Sequence, residues 1–121
     1  MKRGILLLAL LTLILGIFLT SGWAATGDAK NGKVVYDRAC AKCHAADGTG
    51  QAAIAKALKV TFKPLGGEEI QKKTDADIKK DVVEGCCISN ESPTPKMKKV
   101  PGLSDKDVED VIAYVRSLAK K

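Results

Sequence analysis

Aromatic side chains are scarce in this sequence. Phe, Trp and Tyr make up 4% of its 121 residues. Two of them, Phe18 and Trp23, fall in an apolar N-terminal stretch, which leaves Tyr36, Phe62 and Tyr114 for the rest. Histidine is scarcer still: His44 stands alone, so a site built on two imidazoles of one chain is excluded. Methionine occurs only as Met1 and Met97. No apolar/polar alternation of strand type appears, and no internal repeat, so sheet folds and solenoids are excluded. The length admits one small domain plus a leader, and excludes a second catalytic domain. Residues 1–24 take 16 of the apolar residues; the other 97 positions hold 39, of which 13 are alanine. A single core of that size is marginal. Either the domain is weakly stable, or something that is not an amino acid fills its centre.

What is present begins with a leader. Lys2 and Arg3 precede fifteen almost wholly apolar residues, 5–19, and then Thr20, Ser21 and Gly22. A basic start, a short apolar run and a small-residue exit read as a secretory signal peptide. Gly22-Trp23-Ala24 places cleavage after Ala24. Retention as a membrane anchor is the alternative. Fifteen helical residues reach about 22 Å, short of the roughly 30 Å hydrocarbon core. Residues 1–24 are therefore expected as signal peptide and 25–121 as the domain. Either way the domain lies outside the cytoplasmic membrane, in the periplasm or beyond. Without the leader, 18 basic side chains face 14 acidic ones, a balance of +4.

Cys40-Ala41-Lys42-Cys43-His44 carries the chemistry. A C-x-x-C-H run reads as a c-type haem attachment site. Two residues on a helical turn set the thiols at the spacing of the haem vinyl groups, and the adjacent imidazole faces the iron. Three other readings of the pair compete. A disulfide oxidoreductase motif calls for β-α-β patterning, which is missing. A zinc site takes four ligands, and the chain has no second Cys/His cluster of suitable spacing. A structural disulfide beside a chance histidine is the third. Export favours haem, because c-type haem is attached outside the cytoplasm.

The sixth iron ligand has one candidate outside the leader, Met97 in Pro93-Thr94-Pro95-Lys96-Met97. Prolines keep this segment extended, and its polar neighbours make Met97 a poor core methionine. A thioether ligand raises the reduction potential. Iron with both axial positions filled offers no place for substrate, which argues for electron transfer over catalysis. A surface methionine beside open iron is the alternative.

The pattern around these residues is helical. Residues 28–38 read as a helix with Asp28 at its start. Gly32, Val35, Tyr36 and Ala39 share one face. Residues 51–60 form an alanine-rich helix. Thr74-Asp75-Ala76-Asp77 opens another, running to about Glu84, with Ile78, Val82 and Val83 inward and Gly85 as a left-handed cap. Ser104 and Asp107 make a capping box, followed by Val108, Val111, Ile112, Val115 and Leu118 at helical spacing. The bare Gly32 position lets another helix approach, so the terminal helices are expected to pack together with Tyr114 near Gly32.

Taken in order, Gly32, Tyr36, the Cys40-to-His44 run with Asp47-Gly48-Thr49-Gly50, the 74–85 segment, Met97 and Leu103-Ser104-Asp105 through Tyr114-Val115 and Leu118 resemble a class I c-type cytochrome over nearly the whole domain. The resemblance implies an all-α fold of about four helices round one covalent haem c, with the first and last helices crossing. It implies that Cys40 and Cys43 carry the haem and that His44 and Met97 bind its iron. The function it implies is one-electron transfer between larger redox proteins, with no enzymatic activity, as in a respiratory chain. A haem enzyme or gas sensor with a labile Met97 is the alternative function. Two features depart from the pattern: Lys98 follows Met97 where many relatives have proline, and Cys86-Cys87 has no counterpart. These two cysteines could form a disulfide between neighbours, bond a partner chain, stay free, or pack as small apolar residues.

Lys42, Lys96, Lys98 and Lys99 group round the motif and Met97. Such a ring would steer a redox partner with an acidic docking surface. Ordinary solubilising charge is the other reading. Nucleic acid is not expected as a partner. Membrane contact is expected only through an uncleaved leader or a membrane-bound partner, and the chain is expected to be a monomer.

Overall fold

The computed structural model describes residues 27–86 and 97–119. The leader, the cleavage point after Ala24, Cys87 and Lys96 lie outside the described residues. Six helical segments run in order through the described part: α1 (Ala29–Ala39), α2 (Ala41–His44), α3 (Ala52–Leu58), α4 (Glu68–Gln71), α5 (Asp75–Glu84) and α6 (Asp105–Ser117). The expected four are all there, with the two four-residue segments α2 and α4 in addition. None of the described helices is long and apolar enough to cross a membrane.

Local chemistry sets the longer helices. Asp28 caps α1 by accepting from the Lys30 and Asn31 N–H groups. Thr74 with Asp77, and Ser104 with Asp107, close reciprocal capping boxes on α5 and α6. Each box satisfies donors that a helix start otherwise leaves unpaired.

Helices α1 and α6 make the main contact of the fold. Gly32 permits it: a β-carbon there would stand 1.9 Å from the Asp110 carbonyl oxygen and 3.0 Å from the Tyr114 β-carbon. Tyr36 and Tyr114 meet across this crossing with ring centroids 5.0 Å apart. They share a core with Val35, Cys40, Val111 and Val115. A second cluster, Ile78, Val82, Val108 and Ile112, joins α5 to α6 and takes Met97, Val100 and Leu103 at its edge.

Three details differ from the sequence reading. Helix α3 is shorter: Gln51 is its cap, and Lys59 ends it in the left-handed region at φ 53°. Val83 is 48% exposed, because Ile78 and Val82 already occupy the side of α5 that meets α6. Gly85 has a positive φ of 88° but ψ of 162°, so it is not a left-handed helical cap. It sends the chain off extended, with Cys86 pairing antiparallel to Met97.

Helix α4 is placed from a distance. Gln71 donates to the carbonyls of Leu65 (2.8 Å) and Val115 (2.9 Å). Arg116 donates to the carbonyls of Gln71 (2.9 Å) and Lys73 (2.6 Å), and pairs with Asp75 at 2.6 Å. One side chain of α6 thus satisfies the end of α4 and anchors the start of α5.

Candidate functional site

The cysteine-histidine run turns the corner between α1 and α2. Cys40 ends α1, its N–H bonding to the Tyr36 carbonyl at 2.8 Å, and it also begins α2, its carbonyl accepting from His44 N–H at 2.9 Å. That single turn carries Cys40, Cys43 and His44. Cys40 is buried and Cys43 half-buried, and both thiols are free. Burial, with the Cys43 sulfur beside it, pushes the Cys40 thiol up to about 11.

His44 is half-buried, and burial pushes its pKa down. The ring is therefore neutral at pH 7, the form that offers a lone pair. Its Nδ1 is buried with no hydrogen-bond partner. The ring edge meets Phe62, centroids 5.4 Å apart. Phe62 in turn fills the space over Gly50, where a β-carbon would stand 2.4 Å from the Phe62 β-carbon.

The loop after His44 is fixed by both terminal helices. Ala45 takes φ 61°, unusual for a residue with a side chain. The Tyr36 hydroxyl donates to the Ala45 carbonyl at 2.6 Å, and the Tyr114 hydroxyl to the Ala46 carbonyl at 3.3 Å. The returning chain then closes on the motif, Gly50 N–H bonding the His44 carbonyl and Gln51 N–H the Cys43 carbonyl, both at 2.9 Å. Helix α3 starts from that closure. It carries Ile54, Ala55 and Leu58, yet none of its residues is buried. A helix bearing Ile54, Ala55 and Leu58 that the described residues leave half-buried or exposed, together with an orphaned buried imidazole nitrogen, fits a large apolar group that is not made of amino acids.

The family model of cytochrome c matches residues 29–119. The chain belongs to the cytochrome c family. It is 30% identical over 94 residues to cytochrome c-554(547) of Halothiobacillus neapolitanus, covering 76% of this chain and 98% of that protein. Among solved structures, the KustC0563 c-type cytochrome superposes with a TM-score of 0.57 at 25% identity, covering 74% of this chain and 98% of that one. The fold is the all-α cytochrome c fold, the cofactor is covalently bound haem c, and the protein is a haem-based electron carrier. Cytochromes of this type are generally exported proteins.

Met97 stands apart from the cysteine-histidine turn, on the edge of the α5–α6 cluster. It is half-buried. Cys86 N–H donates to the Met97 carbonyl at 3.0 Å, and Met97 N–H to the Cys86 carbonyl at 3.2 Å. The sulfurs of the two side chains are 3.9 Å apart. Cys86 is disulfide-bonded, and Cys40 and Cys43 are not its partners, since both are free. A bond between neighbours would involve Cys87, which lies outside the described residues.

Every thiol, imidazole and thioether of the site is legible in the sequence. Phe62 as the contact of His44, and Cys86 as the residue that pairs with Met97, are not. No local spacing signals either pairing, since each joins segments that only the fold brings together.

Proposed function

We propose that this cytochrome c passes single electrons between exported redox proteins through one haem c, attached at Cys40 and Cys43 and bound axially by His44 and Met97. The observation that carries this reading is the single turn holding two free thiols and a half-buried, neutral imidazole whose buried Nδ1 has no partner. Bound haem supplies a one-electron couple at its iron, whose potential the axial ligands set.

The chain's own residues do the rest. Cys40 and Cys43 would hold the group as thioethers, so that it is not lost between partners. His44 offers its lone pair because burial keeps it from protonating. Tyr36 and Tyr114 hold the loop that follows it. Met97 offers a thioether from a segment tied to the end of α5, and with both axial positions filled no site is left for substrate. This supports a carrier over an enzyme. Lys42, Lys98 and Lys99 are exposed, and with Lys96 they would favour a partner with an acidic docking surface. Residues 1–24 would act as the export signal for the periplasm, cleaved after Ala24, and the domain would work as a monomer in a respiratory chain.

Absorption spectra of the protein matured in a haem-attaching host test the reading. Expected are the bands of a low-spin c-type haem and a weak band at the red edge of the oxidised spectrum, lost on reduction. Absence of covalent haem would refute it; covalent haem without the red-edge band would refute Met97 as ligand.

A further inference from the structure

Cys86 sits where it governs Met97. Helix α5 ends at Glu84, and Gly85 lies so close to the returning strand that a β-carbon there would stand 2.7 Å from the Met97 carbonyl oxygen. Cys86 and Met97 then exchange two backbone hydrogen bonds, and the Val100 N–H adds a third, to the Val82 carbonyl at 3.0 Å. The segment bearing Met97 therefore hangs on the last turn of α5 and on Cys86. The Cys86 sulfur also touches the Met97 sulfur at 3.9 Å. This sulfur is in a disulfide, and the haem requires neither atom of that bond.

A disulfide sulfur carries no hydrogen. A thiol is a weak donor and a thioether a weak acceptor. Reduction would thus place an S–H group at sulfur-to-sulfur hydrogen-bond distance from Met97, competing for the lone pair that the iron uses. It would also release the cross-link next to the backbone pair that aims Met97. Both changes weaken the thioether as a ligand, and Cys86 is only half-buried, within reach of a reductant.

We infer that the Cys86 disulfide is a reducible lock on Met97, opened by a dithiol, and that opening it exposes the sixth position of the iron. This rests on the reading of Met97 as an axial ligand. The step balances as thiol–disulfide exchange. A thiolate of the dithiol attacks one sulfur and the protein S–S bond breaks, giving a mixed disulfide. The second thiol of the reductant then displaces the protein sulfur. Two electrons and two protons pass to the protein, which ends with two thiols, and the reductant ends as its own disulfide. Linkage requires the reverse effect as well: iron that holds Met97 favours the closed lock by the same factor.

The test uses the intact haem protein and carbon monoxide. One sample is treated with ascorbate, which reduces the iron but leaves disulfides closed. A second is treated with excess dithiothreitol and exchanged without oxygen into ascorbate, and its thiols are counted. The expected result is two new thiols and carbon monoxide binding raised about tenfold or more over the first sample, the usual size of a coupling between two sites. Cys86→Ser, which removes the disulfide at the described residue, should bind carbon monoxide in ascorbate alone. Two new thiols with binding unchanged would overturn the lock and leave Met97 as a ligand. No new thiols, or a Cys86→Ser protein that stays silent, would overturn it too. Strong binding already in the first sample would overturn the Met97 reading itself, and the lock with it.

Discussion

Gly32 on α1 and Asp110 on α6 leave no room between them for a single carbon: a β-carbon at Gly32 would stand 1.9 Å from the Asp110 carbonyl oxygen. The neighbour is backbone, which cannot swing aside. Gly32→Ala must therefore push the two helices apart. The expected loss is about 2–3 kcal/mol, at the upper end for overpacking, read as a lower midpoint in chemical unfolding of the haem protein. A midpoint within experimental error of the parent's would mean that the crossing is looser than described.

Asp110 also makes the crossing dependent on acid. Its side chain is wholly buried. It accepts from the ammonium of Lys106, from the Asn31 amide at 2.7 Å and from the Asp28 N–H at 2.7 Å. Those donors, Lys106 foremost, hold its carboxyl at about 2, below the unfolded value of about 3.9. A depressed folded pKa gives stability that is whole above the unfolded value and lost as pH falls from about 4 through about 2. Melting temperatures over that range should fall less steeply for Asp110→Asn than for the parent, with the variant already less stable at pH 7. Parallel slopes would assign the acid sensitivity to other carboxylates.

Arg116 is expected to matter through three groups it satisfies at once. Arg116→Ala leaves the Gln71 and Lys73 carbonyls and the Asp75 carboxylate without this donor. A loss of about 2 kcal/mol is expected, the scale for stranding partly buried acceptors. Arg116→Lys should recover little of it, since one ammonium cannot span the fork. Full recovery by lysine would show that charge, not geometry, does the work.

The axial reading of Met97 predicts a separable phenotype. Met97→Ala should keep its covalent haem by mass, lose the red-edge band, bind carbon monoxide when reduced and show a lower midpoint potential. A variant that retains the band would place another ligand on the iron.

The lysine ring predicts salt dependence. Between about 0.01 M and 0.1 M salt the screening length falls from roughly 30 Å to 10 Å. The bimolecular rate with an acidic redox partner should drop about tenfold over that range. A flat profile would reduce Lys42, Lys98 and Lys99 to ordinary surface charge.

Much of this was legible because it is local. The caps at Asp28, Thr74 and Ser104 work within four residues, and the motif from Cys40 to His44 is one turn. The crossing at Gly32 was legible for another reason: a missing side chain on an otherwise filled face has few other uses. Helix α4 was not legible, since it is four residues long and is held through its own Gln71 by the Val115 carbonyl and the Arg116 side chain, both far along the chain. Val83 was misplaced because three apolar residues close together on α5 exceed what one contact face can take. Gly85 was read as a helical cap because nothing in the nearby sequence says that the chain must turn extended to meet Met97.

The thin apolar composition gives one more test. A chain with Cys40→Ala and Cys43→Ala, unable to hold haem covalently, should show little cooperative unfolding, since α3 would lack cover. A sharp thermal transition in that protein would contradict it.

The two tyrosine hydroxyls on the loop after His44 come from opposite ends of the domain. Tyr36 is made before the motif, whereas Tyr114 lies 68 residues beyond the carbonyl it holds. A nascent or truncated chain that stops short of α6 can present its cysteines and histidine but has only one of the two pins on the loop beside them. The order of synthesis thus bears on the site: the loop beside the iron ligand is fully pinned only once α6 has been made.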